Sequence, residues 1–324
     1  MEEPARPAPN AIARMQSRAA TVIGDRAARG LFTAAALFVL AALGFIIWVL
    51  FSRAYAFFQE VSIVEFLTST KWEVIDPKEI AWGIWPLMTG TLMVAVGAIL
   101  IGLPIGLATA IFLAEYASPR LRATLKPVLE LLAGVPSIVF GFFAVQAISP
   151  IWQGLTEPGD LLYHLNDGPA RVFNAMNAIV VIGIMVIPII ASFSEDAIRA
   201  VPRHLREASL GLGATRWETT RHVVLPAALS GITASVVLAT ARAIGETMAV
   251  ALAAGTQANF TFNPLDSIQT MTSFIAQRFG TDQDLTGVAE DSMYAVGATL
   301  FTMTLLLNLV AQRFVRKYRE VETQ

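Results

Sequence analysis

The chain has 324 residues, 55% of them hydrophobic and only 15% charged, with a formal net charge of −2. Apolar runs too long for ordinary core helices make it an integral membrane protein. The near-neutral balance excludes the basic field that nucleic-acid binding needs, and the absence of cysteine excludes disulfides, thiolate catalysis and cysteine metal sites.

Residues 1–30 are rich in Pro, Ala and Arg, with too few bulky apolar side chains for a core. They read as a tail ending in a short helix on the membrane surface. Residues 31–51 form the first span, too long for the apolar part of a signal peptide, so Ala54-Tyr55-Ala56 reads as uncleaved. A polar stretch follows, where Trp72, Trp82 and Trp85 are expected as interfacial anchors. The second span covers 86–114. Within it Pro104 is expected to kink the helix, and Gly102 and Gly106 to admit a close neighbour. The third span is read over 127–148, with Glu130 snorkelling at its entry, and the fourth over 175–193, interrupted by Pro188. A charged segment, 194–226, leads into the fifth span at 227–253. The sixth covers 293–310, and 316–324 form a C-terminal tail after a transmembrane domain of 31–315. His164, His204 and His222 are far apart in sequence and read as solvated loop residues.

Six transmembrane helices place both termini on one side. Lys and Arg concentrate in the N-terminal tail, the 120–126 turn, the charged segment and the C-terminal end. The opposite loops hold only Arg53, Lys71, Lys78, Arg171 and Arg278. The positive-inside rule then makes both termini cytoplasmic in an all-α fold.

The charged segment contains Glu207-Ala208-Ser209, then Gly213, then Val223-Val224-Leu225-Pro226. It reads as a cytoplasmic helix, a glycine turn and a second short helix, closed by a proline where the next span begins. Such an element docks as a rod in a groove on a soluble partner; the competing reading is an amphipathic loop on the membrane surface. The chain has no Gly-x-x-x-x-Gly-Lys-Ser/Thr phosphate loop, so it is expected to hold no ATP itself, and no catalytic or metal-binding motif is present.

Arg242 and Glu246 stand inside the fifth apolar run. A charge there costs roughly 2.5–3.5 kcal/mol on insertion scales and so needs a partner, a wet cavity or a function. Four residues apart, the two are expected to share a helix face and to form an ion pair, with Gly231, Ser235, Ala239, Ala249 and Ala253 on the same face. Small residues around two charges suit a narrow pathway or a close helix contact. A guanidinium there offers forked donors to an oxyanion, and a nearby carboxylate orients it or weakens retention. A structural ion pair is the alternative.

The Glu207 to Pro226 segment resembles the Glu-Ala-Ala loop of binding-protein-dependent ABC importer permeases, with Ser209 replacing the second alanine. Arg242-Ala243-Ile244-Gly245-Glu246-Thr247-Met248-Ala249-Val250 is similar to the signature of the PstC permeases of phosphate-specific ABC importers. So are the stretches from Pro86 to Thr91, from Phe112 to Tyr116, from Glu130 to Ser137 and from Gly141 to Phe143. The resemblance implies a type I ABC importer permease fold in the cytoplasmic (inner) membrane, with Arg242, Glu246 and Thr247 on the substrate pathway. Glu207, Ala208, Gly213, Leu225 and Pro226 would couple to the ATPase. It also implies a PstA-like sibling permease, two PstB-like ATPases that bind ATP and Mg²⁺, and a PstS-like phosphate-binding protein. Other classes remain open: an anion channel or secondary transporter, a permease for sulfate or molybdate, and a regulatory subunit reporting phosphate status.

Overall fold

The structure is a computed structural model that describes residues 10–74, 80–158, 160, 163, 166, 168–279 and 287–321, with side chains described between 28 and 313. The first nine residues of the tail, Lys78, His164, Asp282 and Asp284, and the last three residues lie outside the described part. Contacts divide the chain into two units at Arg53 and Ala54, each taken by itself below. Among the described residues six helices are long and apolar enough to cross a membrane.

The first unit is built on α1 (Asn10–Glu60), which begins inside the stretch read as tail and spans over Ala28–Glu60. Leu31, Phe38 and Trp48 all lie on its exposed surface. Apolar side chains all round a helix suit one solvated by lipid.

The second unit opens on the last turns of α1, where Phe57 and, just past the helix, Val61 enter an aromatic cluster. Phe66 of α2 (Ile63–Thr68) joins them, as do β1 (Trp72–Glu73) and β2 (Ala81–Trp82), an antiparallel pair with Trp72 opposite Trp82. Trp72 is only 5% exposed and meets Phe274 edge-on, ring centroids 5.1 Å apart. Trp72 is therefore a core residue of this cluster and not the interfacial anchor expected, because cross-strand pairing turns it inward. Trp85 stays exposed and donates to the Leu67 carbonyl at 2.7 Å.

The most extensive helix packing joins α3 (Trp85–Ile111), prolonged by a π-helical turn at Phe112–Tyr116, to α7 (Ala175–Ala200). The sequence selects this contact through glycine. A Cβ on Gly102 would lie 2.5 Å from Val186 and 2.9 Å from the Gly183 carbonyl, so only a bare backbone lets the two helices approach. Gly102→Leu is expected to destabilise the protein by about 1–3 kcal/mol through overpacking, seen as a lower unfolding temperature of the purified protein in detergent.

The third span departs from its reading. Pro119–Ala133 forms a separate helix, α4, with no buried residue, and the span itself is Ser137–Leu155. It runs through α5 (Ser137–Phe143), a π-helical turn (Ala144–Ile148) and α6 (Ser149–Leu155). Gly134-Val135-Pro136 ends α4, since Pro136 cannot donate and drives the residue before it out of helical geometry.

After α7 come α8 (Arg203–Gly211), α9 (Arg216–Thr219), a π-helical turn (Thr220–Val224) and α10 (Leu225–Gly245). Then follow α11 (Met248–Ala253), α12 (Met271–Phe279) and α13 (Val288–Val321). The main core lies where α3, α7, α10 and α11 meet, around Ala98, Ile182, Ala239 and Val250. A smaller core around Ala110, Ile198, Val224 and Ile232 lies beside the charged segment. Gly231 faces Ala197 closely and the Ser235 hydroxyl meets that of Ser194 at 2.8 Å, so this part of the small-residue stripe is a close contact of α10 with α7.

Candidate functional site: an exposed helix and a broken span

The charged segment folds in the order its residues dictate. Pro202 starts α8, and Gly213 with φ +90° sits in the left-handed region that an L side chain rarely adopts. Thr215 and Glu218 then form a reciprocal cap on α9: the Thr215 amide donates to Glu218 Oε2 at 2.8 Å, and the Glu218 amide to Thr215 Oγ1 at 3.3 Å. Leu225 and Pro226 open α10. Glu207 and Ala208 are exposed, as are Leu210, Trp217 and Leu212, the last at 91%. Exposed apolar side chains along α8, the turn after it and α9, around an exposed glutamate, suit a docking surface. Ser209 is not an inert replacement, since its hydroxyl lies 2.9 Å from that of Thr219 and ties α8 to α9.

Sequence reasoning did not foresee how this segment is anchored. From α8, Arg206 turns back and pairs with Glu115 at 3.0 Å while donating to the Ile198 and Val201 carbonyls at the end of α7, at 2.6 and 2.5 Å. Nearby, Arg122 of α4 donates to the Leu113 and Ala114 carbonyls at 2.7 and 3.0 Å. Glu195, fully buried, faces Arg122 at 3.5 Å, Lys126 at 2.7 Å and Arg199 at 3.5 Å, and Lys126 also pairs with Asp196. Burial opposes the charge on Lys126, but bonds to Asp196 and Glu195 outweigh it and hold its pKa above the usual lysine value.

The second part of the site corrects the fifth span. The helix does not run through Arg242 and Glu246. α10 ends at Gly245, and Glu246 is extended with φ −68° and ψ 131°. Arg242 therefore stands in the last turn of α10, not mid-helix, and among the described residues no ion pair joins it to Glu246. The carboxylate turns the other way: Glu246 Oε1 accepts from the Ala249 amide at 3.3 Å, an interaction that favours an anion at the start of α11. Its own carbonyl accepts the Thr272 hydroxyl at 2.7 Å. Thr247 donates to the Gly245 carbonyl at 3.3 Å, so all three polar residues of the signature belong to the break. Arg242 is exposed, as are Leu238, Gly245 and Met248 beside it. Ala249 and Ala253 are buried, and Ala249 lies against Gly141 of α5.

The segment after α11, polar in sequence, folds back into the bundle. Ser267, Gln269, Thr270, Thr272 and Ser273 are buried. Gln269 donates to Gln277 and Gln277 to Ser273, a polar chain beside the break. Both glutamines border a cavity of about 700 Å³ lined in part also by Lys71, Asn259 and Arg278. The clue in the sequence was a run of hydroxyl and amide residues without charge, where a solvated loop would carry ions.

Residues 102–320 match the family model described as binding-protein-dependent transport system inner membrane component. The chain belongs to this family. It is a multi-pass inner-membrane permease of an ABC importer, and membership implies an ATPase and a substrate-binding protein as partners. The probable ABC transporter permease YqgH of Bacillus subtilis is 34% identical over 81% of this chain and 80% of its own length. The phosphate transport system permease PstC of Mesorhizobium japonicum is 32% identical over 86% of each. A PstC described as probable, from Methanocaldococcus jannaschii, is 30% identical over 90% of this chain and 93% of its own. Among solved structures, a permease chain of a bacterial alginate ABC importer aligns with TM-score 0.56 and 17% identity over 87% of this chain and 95% of that one. A chain of the inward-facing methionine transporter MetNI gives 0.50 and 20%, over 73% and 94%. The shared fold is that of type I ABC importer permeases.

Proposed function

We propose that this chain is one permease half of an ATP-driven importer that carries inorganic phosphate into the cytoplasm by alternating access, with both termini cytoplasmic. The observation that carries the substrate is the similarity to PstC permeases over most of the chain, together with an exposed arginine at a helix break. The partners are a PstA-like permease, two PstB-like ATPases and a PstS-like phosphate-binding protein. ATP and Mg²⁺ bind the ATPases and no cofactor binds this chain. α8, from Arg203 to Gly211, docks on one ATPase; closure of the ATPase pair moves it, and the spans change the side to which the path opens. Arg242 offers a forked cation to the oxyanion, while Glu246 and Thr247 hold the break that presents it.

Uptake of radiolabelled phosphate, sulfate and molybdate by proteoliposomes containing the assembled complex tests the substrate. ATP-dependent accumulation of phosphate above the other two is expected, and a preference for sulfate or molybdate would reject the phosphate reading. Gly213→Leu, strained by about 1–2 kcal/mol in the left-handed region, is expected to misplace α8 and abolish copurification of the ATPase. Normal copurification and uptake by that variant would reject the docking role.

A further inference from the structure

Four helices meet at the docking end in a closed ring of contacts. Arg122 of α4 holds the carbonyl end of α3; Arg122 and Lys126 hold Glu195 of α7; Arg206 of α8 holds the carbonyl end of α7; and Arg206 also pairs with Glu115 at the end of α3. Each arginine thus satisfies the last carbonyls of one helix and a carboxylate of another, a double task that the planar guanidinium fork fits and an ammonium does not. All five side chains of the ring are largely withdrawn from water: Lys126 is 24% exposed, Arg122 and Arg206 are each 19%, Glu115 16% and Glu195 0%. Glu115 lies in the π-helical turn that ends α3, a local irregularity that aims its carboxylate at α8.

We infer that Arg206 is the positioning residue of coupling: its simultaneous hold on Glu115 and on the end of α7 makes α8, α3, α4 and α7 one rigid body. A displacement of α8 is then delivered undiminished to the two most closely packed spans. Loss of the Arg206 contacts leaves α8 able to follow the ATPase without moving α3 and α7. Relative motion within the permease is taken up outside the ring, at the Glu246 break. The inference rests on the proposed docking of α8 to an ATPase.

The test uses the complete complex in lipid, with cysteine-free partner subunits, because this chain has no cysteine of its own. Paired spin labels at Ala108→Cys on α3 and Arg203→Cys on α8 report distances within the ring; Arg203→Cys and Gln312→Cys report from α8 to α13. With Arg206 present, the first distance is expected to stay constant on adding ATP while the second changes. Arg206→Met and Glu115→Gln are expected to retain the ATPase but make the first distance vary with ATP. Phosphate imported per ATP hydrolysed is expected to drop roughly tenfold, in line with typical coupling energies, and Arg206→Lys to fall between the two. An ATP-dependent Ala108–Arg203 distance with Arg206 present, or normal import per ATP in Arg206→Met, would overturn the inference. Failure of the unsubstituted permease to bind an ATPase would instead overturn the docking reading on which it rests.

Discussion

Arg242→Ala is expected to reduce phosphate uptake by the reconstituted complex to background while leaving assembly intact. The two halves of this expectation have separate grounds. Arg242 is exposed, and among the described residues neither a hydrogen bond nor an ion pair holds its side chain. Truncation therefore removes no support from the fold, and the variant should purify with its partners in normal yield. On the pathway reading, the guanidinium is the charge that meets an oxyanion deprived of water. Truncating one partner of such a pair costs about 2–5 kcal/mol, a loss of tens to thousands of fold. Arg242→Lys keeps the charge without the fork and should retain a measurable fraction. Glu246 separates from it in this assay: Glu246→Gln preserves an acceptor for the Ala249 amide and should transport measurably. Glu246→Leu removes the anionic acceptor at the start of α11, worth about 0.3–1 kcal/mol, and should lower thermal stability slightly as well. Normal uptake by a correctly assembled Arg242→Ala complex would remove this residue from the pathway.

Glu195→Ala is expected to be the most destabilising substitution of a charged residue in the chain. Glu195 is fully buried and serves Arg122, Lys126 and Arg199 together. Its loss leaves Arg122, 19% exposed, without a counter-ion and Lys126 with Asp196 alone, and breaking a buried pair in this way costs about 3–5 kcal/mol. Asp196 beside it supplies a control, because its side chain is 60% exposed and the cost of Asp196→Ala should stay within about 1 kcal/mol. Thermal unfolding of the two purified variants in the same detergent compares them directly. Since the pKa of Lys126 is raised, its pairing contributes fully at neutral pH and is lost only as pH rises beyond the usual lysine range.

The features legible in the sequence were those written in local signals. The helix, turn and helix of the charged segment are punctuated by Gly213 and Pro226, each acting on its own neighbourhood, and six apolar runs announced six spans. The third span was misplaced because hydropathy over 127–148 runs on across Gly134 and Pro136, whereas the backbone cannot. The break at Glu246 was hidden for a related reason. Apolar residues continue on both sides of Gly245, so two charges read as inserts in one helix and not as the end of it. The ring around Glu115, Glu195 and Arg206 had no local signal at all: Arg206 meets a carboxylate 91 positions away, and only the folded chain brings them together.

On the pathway reading, the end of α10 at Gly245 also bears on how quickly an anion leaves Arg242. Arg242 stands in the final turn, where aligned peptide dipoles carry a partial negative charge of about half a unit. That field steadies the guanidinium and at the same time offsets part of its pull on an incoming anion. An arginine in mid-helix would lack this counterweight and hold an oxyanion longer. At a carbonyl end its hold on such an anion would be shorter, which favours release over retention.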